Sequence, residues 1–274
     1  MKLAFMTLGC PDWDLPTICR RGQQYGYDGV DFRGLQQQLD VTVMPEFTTG
    51  AAATKTLLAD HGLEISAISS SIRLCQSDAR ADNLAEAQRH IEVAQTFGVE
   101  RLRVFGGGDL ANHSQEALKA VGIEMMHAIL DLDGAADCIW MFETHDHWVA
   151  REHALALVNG VDHPRFQVLW DMAHCFRIAE ESPQECLQAY GTRITYAHLK
   201  DAVYEPENPL ALKDGWRYVP AGEGQLPIGE AVEGLKSIGY DGWLQFEHEK
   251  RWHRNLDEPE DIFPKFARWA RHFC

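Results

Sequence analysis

Eight short runs of apolar, strand-forming residues alternate with longer segments of helical periodicity, and this alternation limits the fold more than any other feature of the chain. A strand followed by a helix, repeated eight times, is the pattern of a (β/α)8 TIM barrel. The predicted strands lie at residues 2–9, 27–34, 64–71, 101–108, 138–145, 166–173, 194–201 and 242–249. No linker or change of composition divides the chain, so we expect a single barrel domain over residues 1–274.

The segments between these strands repeat apolar residues at intervals of three and four, as helices with one buried face do. Residues 83–98 are an example, and Gly98 is a typical end of such a helix. Residues 228–240 and 259–273 have the same character. A doubly wound sheet is the alternative fold, but it usually has a glycine-rich first turn, and residues 6–13 (MTLGCPDW) contain no GxGxxG motif.

Charge, hydrophobicity and cysteine content argue against nucleic-acid and membrane partners and favour a cytoplasmic protein. The chain has 25 Lys and Arg against 41 Asp and Glu, and the net charge of −16 repels nucleic acid, which is not expected as a partner. No segment approaches the ~20 apolar residues of a membrane span, and residues 1–13 predict a first strand rather than a signal peptide. Seven scattered cysteines without a CxxC pair predict buried, reduced thiols and a cytoplasmic location.

The last four predicted strands begin with packing residues and end with groups capable of metal or acid–base chemistry. Active sites of barrels lie at these carboxyl ends. Since alternate residues of a strand share a face, one polar residue at the end of each of these strands is expected on the inward face. These residues are Glu143, Asp171, His198 and Glu247. For each residue alone, a hydrogen bond to a neighbouring loop is the alternative to a functional role.

Facing carboxylates are costly to bury without a counter-charge, so these four residues together predict one bound divalent cation. Three oxygen donors and one nitrogen suit Mn²⁺, Mg²⁺, Co²⁺ or Zn²⁺, and the pattern does not choose among them. The spacing of Asp171 and His174 fits this site only if the strand ends at Asp171, because residues three apart in a strand face opposite ways. We therefore expect a turn there that brings both side chains to the barrel mouth.

Five motifs, in order along the chain, resemble those of the xylose isomerase-like TIM barrel superfamily of sugar phosphate isomerases and epimerases. They are FETH (142–145), DMAH (171–174), AHLKD (197–201), GEG (222–224) and FEHE (246–249). That superfamily includes ketose 3-epimerases, hydroxypyruvate isomerase, inosose dehydratase and endonuclease four. The resemblance implies the same four metal ligands, a substrate contact for His174, and assembly into a homodimer or homotetramer.

Departures from the family patterns separate its branches. The endonuclease branch needs further His ligands where this chain has SSS (69–71) and GGG (106–108), and an Asp-x-His where it has Trp216 to Tyr218. One metal rather than three is therefore expected, and an endonuclease-four-like repair nuclease is the less favoured alternative. Ketose 3-epimerases carry a second Glu six residues after the first metal Glu, and Val149 at that position argues against a plain ketohexose substrate.

The resemblance implies a metal-dependent isomerase or epimerase acting on a small polyhydroxylated α-hydroxy carbonyl compound. In such an enzyme, Glu143 and Glu247 are the acid–base pair, and the reaction passes through a metal-stabilised enediolate. Return of the proton gives an epimer or an isomer, whereas loss of a β-hydroxyl gives a dehydration. A lyase acting on an inosose or a dehydroshikimate-like ketone is thus the main alternative, and a non-catalytic binding barrel is another.

Four more residues are predicted to contact the substrate. Lys200 would neutralise an enediolate oxygen or a carboxylate, and His145 shares the face of Glu143. Arg33, at the end of the second strand, and Arg217, ahead of the GEG motif, would bind an anionic group. Each has a structural alternative, an ion pair within the protein or a position in an exposed loop.

Overall fold

The computed structural model describes residues 1–273, and all eight predicted strands are present in it as a closed parallel barrel. With two strands outside the barrel, the ten strands are β1 (Lys2–Met6), β2 (Gly29–Phe32), β3 (Glu64–Arg73), β4 (Arg101–Phe105), β5 (Ile139–Glu143), β6 (Phe166–Asp171), β7 (Ile194–Leu199), β8 (Asp201–Tyr204), β9 (Trp216–Val219) and β10 (Trp243–Phe246). The barrel runs from β1 to β7 in chain order, and β10 lies between β7 and β1. The predicted (β/α)8 barrel is confirmed.

Helices follow each barrel strand and cover the outside of the barrel. They are α1 (Leu15–Tyr25), α2 (Ala51–Asp60), α3 (Arg80–Phe97), α4 (Gln115–Leu130), α5 (Arg151–Val161), α6 (Met172–Ala179), α7 (Pro183–Tyr190), α8 (Ile228–Ser237) and α9 (Pro259–Ala270). The predicted helix end at Gly98 is confirmed, since its φ of 71° lies in the left-handed region that glycine adopts without a steric cost.

The buried apolar residues form two layers. One cluster fills the inside of the barrel and consists of Ala4, Ala67, Met141, Leu169, Tyr196 and Trp243. A much larger cluster lies between the strands and the surrounding helices. The inward layer contains the alternate residues of β5, β6, β7 and β10, as the strand patterns predicted, and it closes the lower part of the barrel. Polar side chains on the same inward faces are consequently confined to the open, carboxyl end of the strands.

The junction of β6 and α6 explains the spacing of Asp171 and His174. The strand ends at Asp171, and α6 begins at the next residue. The Asp171 carboxylate accepts a hydrogen bond from the backbone N–H of His174 over 2.9 Å and so caps the helix. The first turn of the helix then carries the His174 side chain back to Asp171, as the sequence predicted.

A hairpin of β8 and β9 after β7 is the main element that the sequence patterns did not predict. Its strands pair antiparallel, with Asp201 opposite Val219. The Asp201 carboxylate also accepts hydrogen bonds from the backbone N–H groups of Gly222 and Gly224, at 2.9 and 3.0 Å. The GEG motif therefore forms a tight loop around a buried aspartate, and a side chain at Gly224 would collide with that carboxylate.

Two further observations concern the whole described chain. None of the helices in residues 1–273 has the length and apolar character needed to cross a membrane. Six cysteines are buried and form no disulfide, as expected for small packing residues. The seventh, Cys274, lies outside the described residues.

Candidate functional site

The four residues predicted to be metal ligands converge at the carboxyl end of the barrel. Glu143, Asp171 and His198 lie at or next to the ends of β5, β6 and β7, and Glu247 directly follows β10. These strands are neighbours in the barrel. One ligand atom from each side chain lies within 4.8 Å of the others, and all four residues are buried. The structure thus brings the set together, and its binding of a metal ion stays a prediction.

The two glutamates are held in the same way by two buried cations. Arg103 Nη1 donates a hydrogen bond to Glu143 Oε2 over 2.7 Å, and Lys200 Nζ donates to Glu247 Oε2. The other oxygen, Oε1, of each glutamate lies 3.4 Å from His198 Nδ1. One oxygen of each carboxylate is therefore fixed by the protein, and the other faces the centre of the site.

His198 presents a buried nitrogen without a hydrogen-bond partner to this centre. Its Nε2 lies 2.9 Å from Gln245 Nε2, whereas Nδ1 makes no hydrogen bond to any of residues 1–273. Tyr196 donates to Gln245 Oε1 over 2.8 Å and is itself 2.7 Å from Ser66 Oγ, so the amide and the ring are held in place. The same positions also suit the opposite orientation of the Gln245 amide, in which Tyr196 accepts from the amide and Oε1 accepts from Nε2–H of His198. The lone pair of Nδ1 is then free for a cation.

The charges at the site match a divalent cation. The carboxylates of Glu143, Asp171, Glu247 and Glu249 face two permanent cations, Arg103 and Lys200. Among these six residues the carboxylates outnumber the permanent cations by two, in a buried location where unpaired charge is most costly. The residues present therefore fit a metal ion in both donor type and charge.

Protonation of His198 supplies part of the missing positive charge. Although burial opposes the imidazolium ion, the carboxylates of Glu247 and Glu143 raise the pKa of His198 to about 10. Despite burial, Arg103 and His198 hold the pKa of Glu143 well below its usual range, so this carboxylate is ionised at neutral pH. A proton on His198 and a cation at Nδ1 exclude each other.

We therefore expect divalent-cation binding to strengthen as pH rises from about 6 to about 8, by roughly tenfold per pH unit, because each bound cation displaces one proton from His198. Calorimetric titration with Mn²⁺ or Zn²⁺ in two buffers of different ionisation enthalpy measures this proton release directly. The control is His198→Asn, which has no proton to release. An affinity independent of pH, without proton release in the natural protein, would remove His198 from the ligand set.

Asp171 has both oxygens engaged. Oδ1 caps α6, and Oδ2 accepts a hydrogen bond from Lys200 Nζ over 2.8 Å and lies 2.9 Å from His174 Nδ1. In spite of burial, His174 and Lys200 hold the pKa of Asp171 well below its usual range. His174 Nε2 in turn lies 3.3 Å from Lys200 Nζ. His174 thus lies beside the candidate ligands, as predicted, and its role in substrate binding stays a prediction.

Lys200 lies inside the site rather than at its edge. Its ammonium group is buried and contacts Asp171, Glu247 and, over 3.2 Å, Glu249. These carboxylates raise the pKa of Lys200 well above its usual value although burial opposes the charge. Lys200 is therefore the permanent cation at the centre of the cluster.

Sequence reasoning missed two of the charged residues, Arg103 and Glu249. Each has a signal that points to the site: Arg103 is a charged residue in the middle of the apolar strand β4, and Glu249 is two residues after Glu247. Arginine in a strand is usually exposed at an edge, so its burial next to Glu143 was not evident from the sequence. The contact between Arg103 on β4 and Glu143 on β5 forms only when the two strands pair in the closed barrel.

A cavity of about 470 Å³ opens beside the candidate ligands, a size suited to a small substrate. Glu143, Glu247, His145 and Arg33 are among its lining residues, so two of the predicted substrate contacts lie where a substrate would bind. His145 is half-buried, with Nδ1 2.8 Å from Asp146 Oδ1. Although burial opposes the charge, Asp146 and Glu143 raise the pKa of His145 to about 9. A protonated His145 is a hydrogen-bond donor toward the cavity.

Arg217 lies elsewhere. It is on β9, and its Nε donates to Glu205 Oε2 over 2.9 Å, within the hairpin segment. It lines a second, much smaller cavity of about 80 Å³, which it shares with Lys200 and Glu247, and it is not among the residues that line the large cavity. Its predicted contact with an anionic substrate group stays a prediction, with an ion pair inside the protein as the observed alternative.

Comparison with known proteins relates this chain to others of the same fold. Residues 19–272 match the model of the family described as xylose isomerase-like TIM barrel. A probable 3-DHS dehydratase from Bacillus anthracis, AsbF, involved in petrobactin synthesis, superposes with a TM-score of 0.81 and 19% identity over 99% of each chain. The 3-keto-D-glucoside 4-epimerase YcjR from E. coli superposes with a TM-score of 0.77 and 16% identity over 99% of each chain. The IOLI protein, solved with a zinc atom, superposes with a TM-score of 0.79 and 18% identity over 100% of this chain and 98% of its own.

Proposed function

Because the chain belongs to the xylose isomerase-like TIM barrel family, we propose that it is a divalent-metal-dependent isomerase or epimerase. Its substrate is a small polyhydroxylated compound with an α-hydroxy carbonyl group. The observation that carries this proposal is the buried set of four ligand atoms within 4.8 Å, which includes a histidine nitrogen without a partner. The bound zinc of the structurally similar IOLI protein also supports a metal centre.

In the proposed enzyme, one divalent cation is held by Glu143, Asp171, His198 and Glu247. Bound there, it would polarise the substrate carbonyl and offset the negative charge that develops when the neighbouring C–H bond loses its proton. Mn²⁺, Mg²⁺, Co²⁺ and Zn²⁺ are the candidate ions. The excess of carboxylates over Arg103 and Lys200 favours a cation at this site, and the mixed oxygen and nitrogen donors limit its type.

Glu143 and Glu247 are the proposed acid–base pair. They come from β5 and the end of β10, which are separated by β6 and β7, so they approach a substrate in the barrel mouth from different sides. Glu143 is ionised because of Arg103 and suits the removal of a proton. Glu247 accepts a hydrogen bond from the ammonium group of Lys200 at Oε2, which leaves Oε1 facing the site as the oxygen that would carry the returning proton.

His174, His145 and Lys200 are proposed to orient the substrate. The rings of His145 and His174 lie edge to face with centroids 4.8 Å apart, and one ligand atom of each lies within 4.8 Å of one from Glu143. Donors at these positions would hold the oxygens of the substrate and stabilise charge that develops on them. Arg33 lines the same cavity and is the proposed contact for a more distant substituent.

A lyase is the second candidate function, and it is favoured by one observation. The structural neighbours include a probable 3-DHS dehydratase as well as an epimerase. Proton removal next to a carbonyl is the first step of both reactions, and the loss of a β-hydroxyl then replaces return of the proton. The same two glutamates serve either outcome, so the product of the reaction decides between the two classes.

Exchange of substrate hydrogen in D₂O is the decisive test. We expect metal-loaded protein to exchange one C–H next to a carbonyl in at least one member of a panel of ketoses, aldoses, inososes and dehydroshikimate. NMR detects both the exchange and any loss of water. Glu143→Gln abolishes the exchange, whereas Glu116→Gln, on the exposed face of α4, leaves it unchanged. Absence of exchange with every compound and every candidate ion would refute the proposal.

The proposed enzyme is cytoplasmic and acts without nucleic acid or membrane partners. Six buried cysteines without disulfides support a reducing compartment. As in related enzymes, we propose a homodimer or homotetramer. Light scattering coupled to size-exclusion chromatography distinguishes these states from a monomer.

A further inference from the structure

We propose that the cavity binds a substrate with an anionic substituent, a carboxylate or a phosphate, through Arg33 and Arg73. This inference rests on the proposed function, since it concerns the part of the substrate that lies away from the reacting carbons. The two arginines line the same cavity of about 470 Å³ as Glu143 and Glu247. Arg73 belongs to no predicted site, and the geometry gives it a role beside Arg33.

Arg33 is a buried cation without an ion-pair partner. It follows β2 directly and is 7% exposed, yet no carboxylate of the described residues 1–273 lies within 4.0 Å of its side-chain nitrogens. Its guanidinium group donates only to neutral acceptors, Ser71 Oγ over 2.9 Å and the Leu39 carbonyl over 3.4 Å. A buried charge of this kind is normally compensated, so the missing partner points to a ligand.

The surroundings of Arg33 agree with an uncompensated positive charge. Burial and the charge of Arg103 lower the pKa of Arg33 to about 10, and the carboxylates of Glu86, Asp31 and Glu143 offset only part of this effect. Glu86 is itself engaged, since its Oε1 accepts a hydrogen bond from the backbone N–H of Ser71 over 2.6 Å. The guanidinium remains charged at neutral pH, and an anion would stabilise it.

Arg73 adds a second free cation to the same wall. It is the last residue of β3, and within the described part of the chain its guanidinium group makes neither a hydrogen bond nor an ion pair. The stem of its side chain lies against Gly107, where even a Cβ atom would come within 3.0 Å of Arg73 Cβ. Gly107 has a φ of 61°, so glycine is favoured there and leaves room for the arginine.

The topology places these arginines across the barrel mouth from the candidate metal ligands. In the closed strand order, β2 lies opposite β6 and β3 lies opposite β7. Arg33 and Arg73 therefore face Asp171 and His198 from the other side of the opening. A substrate with its α-hydroxy carbonyl group among the candidate ligands would extend its far end toward the arginines. Paired guanidinium groups bind planar carboxylates and phosphates through charge-assisted hydrogen bonds.

Four carboxylates, Glu143, Asp146, Glu247 and Glu249, also line this cavity, so unpaired positive charge is confined to the part of its wall that Arg33 and Arg73 form. The chain carries a net charge of −16, which disfavours anions over most of the surface. Arg33 and Arg73 are unpaired, and they are therefore the groups of this cavity that an anionic substituent would contact. The remaining lining residues include Ser71, whose hydroxyl already contacts Arg33 and can donate to an anion.

The test compares three polyols of one chain length: sorbitol, gluconate and sorbitol 6-phosphate. Calorimetry with Mn²⁺-loaded protein measures their dissociation constants. We expect gluconate or sorbitol 6-phosphate to bind at least about tenfold more tightly than sorbitol, and Arg33→Gln and Arg73→Gln each to remove about tenfold of this preference. Which anion shows the preference distinguishes a carboxylate from a phosphate. Arg268→Gln, on the outer face of α9, is the matched control and keeps the preference.

The same measurements overturn the inference if sorbitol binds as well as both anions, or if the preference persists in both arginine variants. Persistence would mean that gluconate binds through the metal ion alone. Arg73 is exposed, so Arg73→Gln tests the proposal even if Arg33→Gln fails to fold. If the anions bind as expected but no substrate hydrogen exchanges in D₂O, the proposed function fails and the anion subsite stands. If neutral sugars exchange hydrogen and no anion binds preferentially, the anion subsite fails and the proposed function stands.

Discussion

Glu247→Gln is expected to lower divalent-cation affinity by about 100-fold or more and to abolish hydrogen exchange into the substrate, because it removes one of four ligands and one of two acid–base groups. The fold should survive the change. Lys200, which loses the negative charge of Glu247, keeps its contacts with Asp171 and Glu249. The loss is therefore one of binding and chemistry rather than of structure.

Equilibrium dialysis followed by elemental analysis measures the bound ion, and the rise in melting temperature with added cation measures the affinity. Glu247→Asp is the first control, since it keeps the charge with a shorter side chain and should retain part of the affinity. Glu116→Gln, at an exposed position of α4, is the second and should bind cations as the natural protein does. Unchanged affinity in Glu247→Gln would exclude Glu247 from the metal site.

Lys200→Met is expected to destabilise the metal-free protein by about 3–5 kcal/mol, the range found when one partner of a buried ion pair is removed. Lys200 is the buried cation for Asp171, Glu247 and Glu249, and methionine leaves those carboxylates without it. A divalent cation would replace the missing charge. The stabilisation by added Mn²⁺ or Zn²⁺ should therefore be larger in the variant than in the natural protein.

Denaturant unfolding at fixed pH, with and without the cation, measures both effects. Lys236→Met removes an exposed lysine that pairs with Glu233 on α8 and should change the free energy of unfolding by less than about 1 kcal/mol. Two results would contradict the interpretation of Lys200 as the central counter-ion. One is an equally stable metal-free variant, and the other is a destabilised variant that gains no more from the cation than the natural protein.

The barrel and its four central residues were accessible from the sequence because both depend on local periodicity. Alternation of strand and helix segments predicted the (β/α)8 barrel, and the period of two within β5 to β7 and β10 placed Glu143 and His198 on the inward face. Family membership, which the motifs around these residues predicted, is confirmed by the match over residues 19–272. The apolar run at 166–173 extended past the end of β6, and the spacing of Asp171 and His174 correctly predicted that the strand ends at Asp171.

Contacts between distant strands were not accessible in this way. Arg103 and Glu143 are neighbours because β4 pairs with β5, in a register that sets Arg103 opposite Met141. Arg217 seemed equally suited to an anionic substrate, yet the hairpin pairs it with Glu205 and keeps it out of the large cavity. Nothing in the residue pattern distinguishes Arg217 from Arg33. Their difference lies in which carboxylates each can reach after folding.

The sequence by itself determined the type of fold, the face of each strand and the identity of the groups at the barrel mouth, since these follow from chain periodicity and side-chain chemistry. The tertiary structure alone decided how those groups share their charge. It set Lys200 among three carboxylates, left Nδ1 of His198 without a partner, and left Arg33 and Arg73 unpaired in the cavity. Charge compensation depends on distances of a few ångströms between residues far apart in the chain, and only barrel closure fixes those distances.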